Sequence, residues 1–433
     1  MNDTVDAAHI ESAIDLYELR LSWLHDADTQ ANAIDSVEAR IRMHLYHIAN
    51  TPELMPAPDE EPTDEAECFV RLATQICVMQ PEENAAGYEL AYEWLTQGDG
   101  KAAAAEAALS MYPASENTGL FQLFREHSEL HPTLFRLYRK QRQVVPELLI
   151  KNAMTAVDAT LALKIEALNY AAAQPGLGLE QFRSHYLPLL SGEPIDEVQL
   201  LNLSLWGGLV RGDADATRAL GIAINQASDA QALAFLLRLA ALSGTAEFLP
   251  QLLQLAATEP DTGYYLLGLY GQKSVIPELI KAMENVHTLE PAAIAFSQLS
   301  GQILPRVPRL SVVGSDPQKS AQTSEEEADR IPDIQTARTW WQAHQATWQP
   351  NERWLMGKPA TPLHLKSMCK KYAGSIGQDI MDLLALTQKA PLNIPSEMWH
   401  ARQMQLLDAQ AVAPVGAQAT TQTATSTASA RRA

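Results

Sequence analysis

The sequence predicts an all-α protein built as an α-solenoid of helical hairpins, with an N-terminal helical region before it and a disordered C-terminal tail after it. Three observations carry that expectation. Ala and Leu are abundant while aromatics make up only 6%, and both favour helix over strand. Apolar residues recur at helical spacing, as in the stripe Ile10, Ile14, Tyr17, Leu21 and Leu24. A unit of helix, glycine turn and helix also repeats at roughly 30 residues, the sign of a stack whose units bury their apolar faces on one another.

Taken in order, residues 1–50 read as a hairpin of two helices, the second carried by Val37, Ile41, Leu45 and Ile48. Residues 51–65 read as an acidic, proline-rich linker. The stretch "TPELMPAPDEEPTDEAEC" holds four prolines, seven acids and no base, a composition that stays solvated. Residues 66–141 return to helix, with an interruption at Pro132.

From 142 to 310 the repeats become visible. "VVPELLIKNAM" is echoed by "VIPELIKAM", each with proline where a first helical turn tolerates a missing N–H. Gly212, Gly244 and Gly271 open short turns 32 and then 27 residues apart, and a leucine follows each by eight residues: Leu220, Leu252 and Leu279. Residues 311–332 read as a polar, flexible insert. Residues 333–411 read as a tryptophan-rich helical cap, and the low-complexity 412–433 cannot offset its ordering entropy.

In this order, "YELRLSWLHDADTQANAIDSVEARIRMHL", "LLGLYGQKSVIPELIKAM" with "AAIAFSQLSG", and "RIPDIQTARTWWQAHQATWQPNERWLMGKPATPLHL" resemble a bacterial family of HEAT-like proteins related to the phycobilisome-lyase-type repeat. The resemblance covers roughly residues 10–400. Its most specific marker is Trp340–Trp341 followed by Arg353, Gly357 and Pro359. It implies a HEAT-like helical scaffold, often encoded beside type VI secretion spike and effector genes, with no agreed enzymatic activity. Bilin binding, known among some relatives, would need a pocket with oriented polar groups, and nothing beyond the generic repeat points to one.

The charge of −20 opposes binding to nucleic acid or to an anionic membrane and suits a basic protein partner. No stretch reaches the ~18 apolar residues of a spanning helix, and the first residues lack the basic and apolar regions of an export signal. Cys68, Cys77 and Cys369 show no metal-ligand spacing, as expected of reduced thiols in a cytoplasmic protein.

Catalytic and cofactor motifs are missing. "HSELH" places His127 and His131 at i and i+4, but the zinc-protease pattern needs glutamate directly after the first histidine, and Ser128 stands there. His44 and His47 lack a third ligand nearby in sequence and read as surface or boundary histidines. No phosphate loop and no nucleophile elbow is present, so no enzyme, metal or cofactor is expected.

The cluster "TWWQAHQATWQPNERWLMG" holds four of the eight tryptophans. Trp341, His344 and Trp348 sit at i, i+3 and i+7 on a helix ending at Pro350. The preferred reading is a cap on the last repeat; the other is a partner-binding anchor, since Trp and Arg dominate interface hot spots. Arg353 would stack on a ring in either case. Inner positions of the second helices, Arg218, Gln251, Gln254, Glu278 and Lys281, join Trp340 and Arg353 as candidate partner contacts. The function expected is non-enzymatic binding of a protein linked to type VI secretion. Neutralising a cognate toxin or effector comes first, loading an effector onto the secretion spike second, and an internal scaffold or an unknown enzyme more distantly.

Overall fold

The computed structural model describes residues 3–26, 29–51, 62, 64–77, 81–112, 118–193, 197–308, 330–350, 352–395 and 397–409. The expectations for the linker 51–65, the insert 311–332 and the tail 412–433 fall largely or wholly outside them. The protein is all-α: twenty-one helices among the described residues and two short two-stranded ladders. One ladder is a difference from the sequence reading. Arg330–Pro332, the end of the expected insert, pairs antiparallel with Arg306–Pro308.

Asp3–His25 and Ala31–Ala49 pack on each other and on Glu65–Cys77. From there eight helices form an unbroken series, each packed on the next: Glu65–Cys77, Asp99–Met111, His131–Gln141, Leu161–Ala173, Val198–Leu209, Ala230–Ser243, Pro260–Tyr270 and Leu289–Ser300. The helices between them, among them Ala214–Gln226, Leu249–Thr258 and Ile276–Ala282, pack mainly on their neighbours in sequence. Buried Leu and Ala dominate the core, with Tyr170, Phe182, Tyr186, Tyr270 and Phe296 fully enclosed.

Local chemistry sets the boundaries. Pro132 lies in the first turn of His131–Gln141 and Pro277 in that of Ile276–Ala282, where no intrahelical N–H is lost. Gly244, Gly271 and Gly301 close their helices in the left-handed conformation at φ 66°, 73° and 68°, which only glycine adopts without strain.

After the series the chain returns. Pro362–Cys369 packs on Gly374–Gln388, which in turn lies against both Ala230–Ser243 and Asp3–His25; His400–Ala409 packs on Ala31–Ala49. Gly374, at φ 62°, is where this arm meets the first hairpin. A Cβ there would fall 2.0 Å from the carbonyl oxygen of Asp26.

The seal between the two ends is polar as well as apolar. Arg20 and Glu38 form a buried ion pair at 2.8 Å. Glu38 also accepts from the His400 backbone N–H at 2.7 Å, and Arg20 donates to the Glu397 carbonyl at 2.9 Å. The Arg20 guanidinium lies over the Trp399 ring, whose neighbour Phe69 is stacked on Tyr17.

Candidate partner-binding surface

The series of eight helices has two sides, and the C-terminal arm lies along one of them. Arg238 donates to Asp379 at 2.7 Å and to Asp382 at 2.6 Å, and Tyr265 donates to Asp379. Gln378 supplies a further donor to Asp382 at 2.6 Å. Burial alone would lower the Arg238 pKa, but the two aspartates outweigh it and raise it; burial pushes the Asp382 carboxyl up against the pull of Arg238. Low dielectric makes such a cluster strong when complete and costly when broken. These contacts come from Ala230–Ser243 and Pro260–Tyr270, the first helices of their hairpins.

That corrects the sequence assignment of the inner lining. The second helices, expected to line the inner face, are not the ones that meet the returning arm. On them Arg218 is exposed and pairs with its own neighbour Asp215. Gln254, Glu278 and Lys281 are exposed, while Gln251 is half-buried with its Oε1 enclosed and unpartnered among the described residues.

Trp340 and Arg353 sit elsewhere. The helix expected to run to Pro350 stops at His344. There the His344 ring N–H donates to the Trp340 carbonyl and Thr347 Oγ1 donates to the His344 carbonyl, side-chain bonds that compete with the helix ladder. Trp340 meets Phe296 edge-on, its ring centroid 5.6 Å away, and stacks against His344. Trp348, 2% exposed, stands edge-on to Trp340 and Trp341 and stacks on Trp354 at 4.2 Å. The rings pack on one another and on the last helix of the series.

Arg353 does not stack on a tryptophan. It donates to four backbone carbonyls: Ala241 at 3.1 Å, Leu242, Leu269 at 2.7 Å and Tyr270 at 3.2 Å. These are the last carbonyls of two adjacent helices, Ala230–Ser243 and Pro260–Tyr270, which have no intrahelical donor and carry the negative end of the helix dipole. Burial pulls the Arg353 pKa down to about 10, which leaves it charged at neutral pH. Arg211 does the same one unit earlier. It donates to Ala171, Gln174, Leu177 and Gly207 carbonyls at 2.7–3.1 Å, and burial again lowers its pKa to about 10.

The segment carrying Arg353 runs across the glycine caps. The Trp354 N–H donates to Gly271, Met356 to Gln298 and Gly357 to Leu299. A Cβ on Gly271 would lie 2.8 Å from the Trp354 oxygen, and one on Gly301 2.8 Å from that of Met356. Sequence reasoning missed Arg211, Arg238, Tyr265, Asp379 and Asp382, because every partner is remote in the chain. The only available signal was that Arg211 directly precedes a turn glycine.

The histidines behave differently from their spacing. His127 and His131 are separated by a 3₁₀ turn, Ser128–Leu130, so they share no helix face; His127 pairs with Glu129 and His131 stacks on Phe124. His9 joins His44 and His47, with His9 Nδ1 2.8 Å from His44 Nδ1. No group of three or more His, Cys, Asp or Glu among the described residues is arranged to hold a metal ion, and none of the described helices is long and apolar enough to cross a membrane.

No protein-family model, curated protein or solved structure matches the chain.

Proposed function

We propose that this chain is a HEAT-like α-solenoid that acts in the cytoplasm by protein–protein binding and neutralises a cognate toxin or effector of a type VI secretion system. The mechanism is occupation of the partner's working surface, with no bond made or broken. The observation that carries the reading is the unbroken series of eight helices, one side covered by the chain's own arm and the other bearing an exposed polar row.

A solenoid unit contacts only its neighbours, which leaves a long side free for a partner. With the first-helix side taken by Gly374–Gln388, the partner docks on the second-helix side, where Arg218, Gln254, Glu278 and Lys281 are exposed. Trp340 and Arg353 act on this surface only by holding the hairpins in line. The charge of −20 steers a basic partner and speeds encounter at low salt. The likeness of the 330–365 region to HEAT-like proteins encoded beside secretion spikes supplies the secretion setting.

The test is affinity capture from the native cells at modest salt, followed by co-expression. A stoichiometric partner with a toxin domain, lethal alone and harmless beside this chain, supports the reading. Capture should weaken at least tenfold when Gln254→Arg and Glu278→Lys are combined. A spike component in place of a toxin makes the chain an effector adaptor. Recovery of abundant housekeeping proteins alone removes both.

A further inference from the structure

Between the helix series and the returning arm lies a cavity of about 410 Å³, within the ~300–1,000 Å³ of small-molecule sites. Four helices of the series form one wall, from His131–Gln141 to Ala230–Ser243; Gly374–Gln388 and residues 391–397 form the other. Trp206 and Phe235 supply two aromatic faces.

Two polar atoms of the lining residues are orphaned. Arg139 Nε and Asn393 Oδ1 are both closed off from solvent, and neither has a hydrogen-bond partner among the described residues. Asn393 is only 4% exposed. An enclosed donor or acceptor left unmade is unfavourable by about 1–3 kcal/mol, and a native fold seldom leaves two facing one space.

Arg139 is the sharper of the two. The chain has 52 acids against 32 Lys and Arg, yet among the described residues none pairs with this guanidinium. Its neighbours on the same helix are matched: Arg136 and Lys140 both hold Glu106. Arg142, three residues on, has no ion pair either and feels Arg402 as its nearest charge. Of the acids lining the cavity, Asp382 has both oxygens engaged by Arg238 and Gln378, and Glu397 is exposed. The unpaired charge of this wall is therefore positive.

We propose that the cavity binds a carboxylate joined through an amide to an aromatic or aliphatic side chain, the chemistry shared by a peptide C-terminus and an N-acylated amino acid. The carboxylate takes the Arg139 guanidinium in a charge-assisted pair. The amide N–H donates to Asn393 Oδ1, and the side chain lies on Trp206 and Phe235. The site is independent of any protein partner on the second-helix side, so either can fail without the other.

Calorimetric titration of the full chain with N-acetyl-L-phenylalanine, N-acetyl-L-phenylalaninamide and a pentapeptide ending in phenylalanine tests it. The acid binds at one saturable site, and the amide binds at least tenfold more weakly. Arg139→Gln, which removes no hydrogen bond of the native fold, weakens the acid by at least tenfold and leaves the amide unchanged. If that variant melts early, the acid-against-amide comparison on the unaltered chain still decides. A pentapeptide tighter than the N-acetyl acid identifies a peptide end; an equal or weaker one identifies a free N-acyl acid. Saturable heat from none of the three at about 10 mM, a concentration that would reveal contacts worth only ~3 kcal/mol, overturns the proposal. So does equal binding of acid and amide.

Discussion

Arg353 Nη2 donates to the carbonyl oxygen of Leu269 at 2.7 Å across 84 residues of chain, while the same nitrogen also holds Ala241. One guanidinium thus closes two helix ends at once. Its planar fork reaches four carbonyls where an ammonium would reach fewer. Arg353→Ala should lower the stability of the repeat region by about 3 kcal/mol, the cost of several enclosed carbonyls losing their donor. Arg353→Lys should recover only part of that. Urea midpoints of the three proteins check both statements.

The glycine beneath it makes a sharper comparison. Gly244 and Gly212 both have positive φ, 66° and 72°, so alanine strains either by roughly 1 kcal/mol. At Gly244 the new Cβ would also sit 2.8 Å from Arg353 Cδ, in a side chain pinned by its carbonyls; at Gly212 it meets only the stem of Lys389 at 3.0 Å. Gly244→Ala should therefore lower the melting temperature by more than Gly212→Ala. Equal losses would mean that Arg353 yields freely.

Glu38 is fully enclosed and holds both Arg20 and the His400 N–H. Glu38→Gln keeps the shape and leaves the Arg20 charge uncompensated, which should destabilise the closure of the two chain ends by about 3 kcal/mol. Proteolysis of the native protein should then speed up at the C-terminal arm. A cleavage pattern unchanged from the parent would show that the ion pair is dispensable.

Acid should loosen the first hairpin. Burial first, then the charges of His9, Arg40 and His47, hold the His44 pKa below its ordinary 6.5. The unfolded chain therefore takes up this proton before the folded one. Stability from this group is complete above about pH 6.5 and is lost as the pH falls from there through the lowered folded value. The 2.8 Å contact between His9 and His44 also needs one neutral nitrogen to accept. Melting temperature should drop between about pH 7.5 and 5.5, and His44→Gln should flatten that slope.

Thiol reactivity should separate the three cysteines. Cys369 is fully buried, and burial pushes its pKa up to about 12; Cys68 is buried and shifted in the same direction, while Cys77 is partly exposed. Since the thiolate is the reactive form, an aromatic disulfide reagent should label Cys77 first in native buffer. The other two should react only in denaturant. Fast labelling of Cys369 would contradict its packing.

Much of the fold was legible because its signals are local. The stripe through Val37, Ile41, Leu45 and Ile48 marks a buried helix face, and all four are 4% exposed or less. Gly212, Gly244 and Gly271 stand out as turns because helix ends need a residue at positive φ, and all three have it. What stayed hidden depends on distance. Arg353 looked like a partner for a tryptophan because the rings are its neighbours in sequence, whereas its acceptors lie 83–112 residues away. The helix layer that meets the arm was misassigned because the arm's return leaves no periodic trace. His9 joins His44 and His47 across a hairpin turn, beyond the reach of motif spacing. The orphaned Arg139 and Asn393 atoms belong to one cavity only once residues 391–397 have folded back.

That return has a consequence for how the protein is made. Ribosomes release the N-terminus first, yet Glu38 and Arg20 wait for Glu397 and His400, among the last of the described residues to be made. The first hairpin must therefore persist through nearly the whole of synthesis with one flank uncovered, including a buried carboxylate lacking its final donor. Contacts of such long sequence separation close late, and nascent chains stalled before residue 400 would expose the seam that chaperones recognise.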